Sequence, residues 1–314
     1  GLQQARIQDS EPIQELFVQG FLNLNKASGM TSHDYVGAMR RLLGIKKIGH
    51  GGTLDPKATG VLPLAVGRAT RLLPYLAPDK TYEAVVRFGV TTRTDDLEGD
   101  IIDQRPIPAL RLAVLEALLP TFQGTIQQVP PAFSAVQVNG QRLYRLARQG
   151  KAVTAPSRTV TIDRITATAW QPGDFPEVTL RIDCGPGTYI RSIARDLGQK
   201  LGCGATLAQL VRTRSSGFEL PGSLTLEEVR NYVDQGNLSL VPVASALVHL
   251  PVVKLDADQA RRWCLGQKIA PPGLLIEGVY YRVLDPQENF LGIAYLQWTE
   301  ASPILKSKFV FNAF

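Results

Sequence analysis

Residues 81–92 read TYEAVVRFGVTT, an alternation of apolar and polar side chains rich in β-branched residues. A period of two describes a strand with one face on a core and the other toward solvent. The same texture recurs in GFLNLNK (20–26), over 159–170 and over 177–184, with a short apolar run, VLPLAVG, at 61–67. Helical patterns fall between some of these strands but do not alternate with them, so there is no βαβ rhythm. The chain therefore reads as α+β with a mixed or antiparallel sheet.

The helices carry local start and stop signals. In TSHDYVGAMRRLLG (31–44), Thr31 is a cap with Asp34 three residues on, Val36, Met39 and Leu43 share an apolar face, and Gly44 ends the run. GTYIRSIARDLGQKLG (187–202) is the strongest helical pattern, with Thr188 as the expected cap, Ile190, Ile193, Ala194, Leu197 and Leu201 on one face, and Gly202 as the stop. Helices are also expected from Ala69 to Leu73, over 108–122 with Pro108 near the start, and over the basic stretch 140–150. Asn139-Gly140 is a hairpin signal.

A chain of 314 residues suits one large domain and a small one. Residues 1–19 are polar, precede the first strand and are expected to be a poorly ordered N-terminal extension without a function. Residues 20–248 form the large domain. From about His249 the texture changes to one short helix, capped by Asp256 with Gln259, and short strands broken by Pro271-Pro272-Gly273, Asp285-Pro286 and Gly292. Residues 249–314 are expected to form a small, separate β-barrel.

Composition narrows the function classes. Hydrophobic residues make up 44% of the chain and charged residues 20%, which fits a globular protein with a real core. No apolar run approaches the ~18 residues of a membrane helix, and no secretory leader is visible. The three cysteines, Cys184, Cys203 and Cys264, are widely spaced and form no CxxC pair, which points to a reducing cytoplasm. The three histidines, His33, His50 and His249, have no metal-ligand spacing, so no metal site is expected. A net charge of +6 allows an anionic partner such as nucleic acid without requiring one.

Two places carry unusual chemistry. GHGGTLDP (49–56) surrounds Asp55 with glycines and a following proline. Pro56 pushes Asp55 toward extended backbone, and Gly51 and Gly52 permit close approach of a ligand or chain. On this stretch alone an ordinary Asp-Pro turn is the simpler account. Arg191 stands in the first turn of a helix, where the macrodipole disfavours a cation. It is either a tolerant surface arginine or the partner of a fixed carboxylate or phosphate. Tyr82 and Tyr189, taken singly, read as amphipathic residues at a core edge. Lys26, Arg40, Arg41, Lys46 and Lys47, and the helical Arg142, Arg145 and Arg148, form basic clusters that a solvated face also explains. A hydrolase oxyanion loop at His50-Gly51-Gly52 lacks its GxSxG partner, and no GxxxxGK[ST] phosphate loop is present.

Four motifs, taken together and in order, resemble the bacterial TruB tRNA pseudouridine synthases: GHGGTLDPKATGVLPLAVGRATRLLPYL (49–76), QVPPAFSAVQVNGQRLYRLARQG (128–150), CGPGTYIRSIARDLGQKLGCGATLAQLV (184–211) and RTRSSGF (212–218). The likeness covers about residues 20–250. It extends more loosely, through LGQKIAPPG (265–273) and LKSKFVF (305–311), into a C-terminal part similar to the family's small RNA-binding barrel of PUA type.

The resemblance implies an isomerase that converts uridine to pseudouridine in the T-loop of tRNA, at tRNA position 55, whose match to the number of Asp55 is coincidental. The glycosidic bond breaks, the uracil turns over and a C1′–C5 bond forms, with no cofactor and no metal. Asp55 matches the essential aspartate, Tyr82 the active-site tyrosine and Arg191 the active-site arginine. His50 matches a histidine that fills the space left by the flipped base, and Leu210 a residue packing on the uracil. Lys26, Gly51, Gly52, Thr53 and Tyr189 complete the expected substrate-contacting set. Asp55 attacking C1′ and Asp55 removing the 2′ proton both remain open.

The expected partner is tRNA, held at its T-arm and acceptor stem by a monomer in the cytoplasm, with neither a membrane nor a protein partner required. A non-catalytic tRNA-binding or tRNA-folding factor is the alternative, distinguished by whether Asp55 is needed. Two departures from the family pattern are Ala27, where many members have proline after the lysine, and Gln137, where a lysine is common.

Overall fold

The computed structural model describes residues 6–7, 18–134, 137–138, 141–149 and 155–311. Its centre is a nine-stranded sheet. Seven strands form the main path: β1 (Gly20–Lys26), β2 (Thr59–Val66), β3 (Lys80–Phe88), β4 (Gly124–Gln128), β5 (Arg158–Gln171), β6 (Glu177–Cys184) and β7 (Ala205–Ser215), in the spatial order β1-β2-β7-β3-β6-β5-β4. Ile48–His50 pairs with β2 and Phe218–Glu219 with β7. Only β2 and β7 run parallel, so the sheet is mixed.

The expected strand over 81–92 is broken. It ends at Phe88, and Val90–Thr92 turns away to pair with Ile101–Gln104. Gly89 makes the break at φ 85°, where an added Cβ would lie 2.5 Å from the Arg105 carbonyl oxygen. Only glycine fits such a turn without strain.

Helix α1 (Ser32–Leu43) follows its local signals. Thr31 Oγ1 accepts from the Asp34 N–H, Asp34 Oδ2 accepts from the Thr31 N–H, and Gly44 closes the helix at φ 65°. Its face of Val36, Met39 and Leu43 packs on Leu22, Leu24 and Leu62 of the sheet. The stretch 108–122 is shorter as a helix than expected: α2 spans only Leu112–Leu118 and continues as a 3₁₀ turn, Leu119–Phe122. Pro120 lacks the N–H that a further α-helical bond needs. The segment from Ala69 to Leu73 lies in a longer 3₁₀ helix, Gly67–Tyr75. Helix α3 is Leu143–Arg148. Asn139-Gly140 lies outside the described residues, although Gln137–Val138 and Gln141–Arg142 pair antiparallel on either side of it.

Helix α4 (Ile190–Leu201) stops at Gly202 as expected, but Thr188 does not cap it. The Thr188 hydroxyl donates to the Gly185 carbonyl instead. The chain is held at Tyr189 by buried Gln128 of β4, which accepts from the Tyr189 N–H at 2.8 Å and donates to its carbonyl at 3.0 Å.

Of residues 1–19, Arg6–Ile7 pair with Leu238–Ser239, and the remainder before Val18 lies outside the described residues. The C-terminal part contains α6 (Ala257–Cys264), which follows α5 (Leu226–Asp234) in the chain. Among the described residues it forms an open four-stranded sheet, ordered Val252–Lys254, Tyr281–Leu284, Phe290–Trp298, Pro303–Val310, and no closed barrel. Helix α6 covers the face a barrel would enclose, packing Ala260 and Trp263 on Val253, Val283, Leu291 and Leu305. This part also shares a core with the large sheet, where Phe290, Ile293, Phe309 and Phe311 meet Phe21, Ala65, Ala69 and Leu72.

Candidate active site

The loop around Asp55 is clamped from behind. Ser32, the first residue of α1, receives the Leu54 N–H at 2.9 Å and donates to the Leu54 carbonyl at 3.2 Å. Lys26, fully buried at the end of β1, donates to the carbonyls of Ala27, Pro56 and Ala58 at 2.9, 2.8 and 2.7 Å. Burial lowers its ammonium to about 8, while the charge of Asp55 pulls the other way. Lys26 thus binds the turn that presents Asp55 and lies behind it. The Ala27 N–H, which a proline would lack, donates to the Tyr35 hydroxyl at 2.9 Å. Gly52 sits at φ 109° with the Lys80 side chain 3.4 Å from where a Cβ would stand.

Arg191 reaches Asp55 from the opposite side. Its Nε lies 3.1 Å from Asp55 Oδ2, close enough for an ion pair although the N–H is not aligned as a hydrogen bond. Its Nη1 donates to the carbonyls of Thr94 and Phe133. The arginine side chain is 8% exposed and the aspartate 42%. The cation is fixed within the protein, while the carboxylate stays open to a cleft.

That cleft has a volume of about 630 Å³, within the range that holds a small organic ligand. Asp55, Tyr82, Arg191, Gly52, Thr53, Tyr189 and Leu210 all line it. A second cavity of about 530 Å³ also touches Asp55 and Leu210 and is walled by Lys57, Asp96 and Glu98. Lys26, His50 and Gly51 do not line the cleft. His50 is half-buried on its short strand, and burial followed by the charge of Arg212 lowers its imidazole.

Lys80 and Tyr144 line the cleft without having been singled out as site residues. Burial, then the charge of Arg212, lowers the Lys80 ammonium. Arg212 itself is fully buried just behind the cleft wall. Its signal in the sequence was the strand period, since it stands two residues beyond Leu210. Among the described residues, no group of three or more His, Cys, Asp or Glu side chains is arranged to hold a metal ion. No helix there is long and apolar enough to cross a membrane.

An accessible carboxylate, held by a buried guanidinium beside a tyrosine and a leucine, suits chemistry at an extruded nucleoside. Comparison with known proteins shows the family. Residues 40–190 match the TruB family pseudouridylate synthase N-terminal domain, residues 191–247 the tRNA pseudouridylate synthase B C-terminal domain, and residues 251–300 the pseudouridine synthase II TruB C-terminal segment. The tRNA pseudouridine synthase B of Gloeothece citriformis is 57% identical, over 88% of this chain and 91% of its own. That of Acaryochloris marina is 52% identical, over 94% and 99%. This chain belongs to the TruB family of pseudouridylate synthases. Among solved structures, it is similar to a chain of a Cbf5-Nop10-Gar1 complex, with a TM-score of 0.73 and 26% identity, covering all of this chain and 91% of that one. It is also similar to a chain of an H/ACA RNP bound to a substrate RNA containing 2′-deoxyuridine, with a TM-score of 0.71 and 25% identity, over 93% and 85%.

Proposed function

We propose that this protein isomerises uridine to pseudouridine in tRNA, at position 55 of the T-loop. The observation that carries the site assignment is the Asp55–Arg191 pair, 3.1 Å apart, with its carboxylate open to a nucleoside-sized cleft. A uridine stacked in a folded loop is flipped out before its C1′ can be reached. Positive charge develops at C1′ as the glycosidic bond weakens, and an ionised carboxylate beside it acts as nucleophile or stabiliser. Arg191 keeps the Asp55 carboxylate aimed into the cleft. Tyr82 stacks on the uracil and serves proton transfer at C5, and Leu210 packs on the opposite face of the base. His50 fills the space the base vacates, on a loop that Gly51, Gly52 and Thr53 allow to approach the RNA closely.

Residues 20–248 are the catalytic unit. Residues 249–314 are a PUA-like unit that grips the acceptor stem through phosphates and shape. The enzyme works as a monomer on tRNA in the cytoplasm, with no further protein.

The test is mass spectrometry of treated tRNA together with tritium release from C5-tritiated uridine. Wild type forms one pseudouridine in the T-loop. Asp55→Asn loses turnover by about a thousandfold or more and keeps its tRNA affinity. Turnover retained in that variant refutes the assignment of Asp55, whereas wild type that binds tRNA and forms no pseudouridine leaves the tRNA-binding factor as the better reading.

A further inference from the structure

RTRSSGF begins with an arginine that the reading above leaves without a role. Arg212 is completely buried, and a buried guanidinium is tolerated only where its donors are satisfied. No carboxylate forms an ion pair with it among the described residues. Its Nε donates to the Val61 carbonyl at 2.9 Å, Nη2 to Gly52 at 3.1 Å and Nη1, more weakly, to Thr53 at 3.4 Å. The last two carbonyls belong to the loop that carries Asp55.

The remaining neighbour is Tyr82. Arg212 on β7 stands directly opposite Tyr82 on β3 in antiparallel register, which puts the two side chains next to each other on one face of the sheet. On its other side Arg212 is in register with Gly60 of β2, where an added Cβ would stand 2.1 Å from the Arg212 carbonyl oxygen. That close approach fixes β7 against β2 and gives Arg212 little freedom to move.

Tyr82 forms part of the cleft wall, and Gly52 and Thr53, whose carbonyls Arg212 holds, line the same cleft.

We propose that Arg212 is a positioning residue for the isomerisation, holding a fixed cation beside the Tyr82 side chain and tying the strand that carries Tyr82 to the loop that presents Asp55. The inference rests on the reading that Tyr82 takes part in the reaction. It differs from a purely structural role in one respect: the cation acts on the phenol itself. Burial raises the Tyr82 phenol and Arg212 opposes that rise.

The test uses full-length protein with tyrosine labelled at Cζ, the Tyr82 signal being assigned by its loss in Tyr82→Phe. In Arg212→Gln the Tyr82 signal shifts and its titration moves to higher pH, and Arg212→Lys lies between Arg212→Gln and wild type. Single-turnover rates fall roughly a hundredfold in Arg212→Lys, within the range of a proton-transfer group, with tRNA affinity within about threefold. In a Tyr82→Phe background the same substitution costs less than about threefold, because the phenol through which it acts is gone. Should Arg212→Gln not fold, Arg212→Lys and the double variant carry the test. An unmoved Tyr82 signal in a folded variant, or a full hundredfold loss in the Tyr82→Phe background, overturns the proposal. The NMR arm needs no turnover, so a wild type without pseudouridine formation counts against the functional reading alone.

Discussion

Arg191 and Asp55 form an ion pair of unequal partners: the guanidinium is buried, the carboxylate is open, and their closest atoms are 3.1 Å apart. Two further bonds from Arg191, to Thr94 and Phe133, fix the cation before any substrate arrives. An ammonium cannot reproduce that three-way grip, because it lacks the planar fork. Arg191→Lys is therefore expected to retain charge and lose position. Turnover should fall about a hundredfold or more, as for a misplaced catalytic group, with tRNA affinity within about threefold. Single-turnover tritium release and filter binding measure the two quantities, and an equal loss in both would argue against positioning.

Lys26 gives a pH signature. Its ammonium is lowered from 10.5 to about 8, first by burial. Below about 8 both folded and unfolded states carry the proton. Between about 8 and 10.5 the unfolded state binds more protons, so stability rises with pH in that window. The stability difference between wild type and Lys26→Met, measured by urea unfolding, should shift toward wild type from pH 7.5 to pH 10. The change should be on the order of a kcal/mol or more. A flat difference would show that the ammonium is not depressed.

The sequence is most legible where the physics is local. The Thr31–Asp34 box and Gly44 define α1 within one stretch of chain, and the structure has that helix with those caps. Arg191 drew notice because a cation is misplaced in the first turn of a helix, and the structure brings a carboxylate to it. The misses were non-local. Gln128, from a distant strand, holds the start of α4 where Thr188 was expected to cap. Lys26, at the end of a strand, reads as solvated until the carbonyls of Pro56 and Ala58, from another segment, join that of neighbouring Ala27 around its ammonium. Arg212 was missed because a charged side chain reads as solvated, although the unbroken alternation from Leu210 to Arg212 puts it on the same face as Leu210. Where a barrel was expected, the described residues form an open sheet, because short strands and turns do not reveal that a helix will cover it.

The shared core predicts joint unfolding of the two ends of the chain. Phe311 is fully buried against Phe21 and Leu72, with the Arg68 guanidinium 5.0 Å from its ring centre. Phe311→Ala should destabilise by about 3 kcal/mol or more, as for other buried aromatics. Calorimetry of wild type should give one transition. A separate, lower transition for the C-terminal part would show that the packed faces do not couple.

The last prediction concerns how RNA docks beside the cleft. Helix α3 brings Tyr144 to the cleft wall and exposes Arg145 and Arg148 next to it, with the Arg148 guanidinium 5.7 Å from the Tyr144 ring centre. Exposed cations at the edge of a nucleoside-sized cleft suit the phosphates flanking an extruded nucleotide, and phosphate contacts release counterions. Log affinity for tRNA should therefore fall linearly with log salt. Arg145→Gln should weaken binding several-fold at low salt and flatten the slope by about one, while single-turnover rate at saturating enzyme stays within about twofold. Arg145 lies outside the cleft lining, so a loss confined to turnover would contradict a phosphate contact. An unchanged slope would place the docking surface elsewhere, with the exposed Arg40, Arg41 and Lys47 the next positions to neutralise.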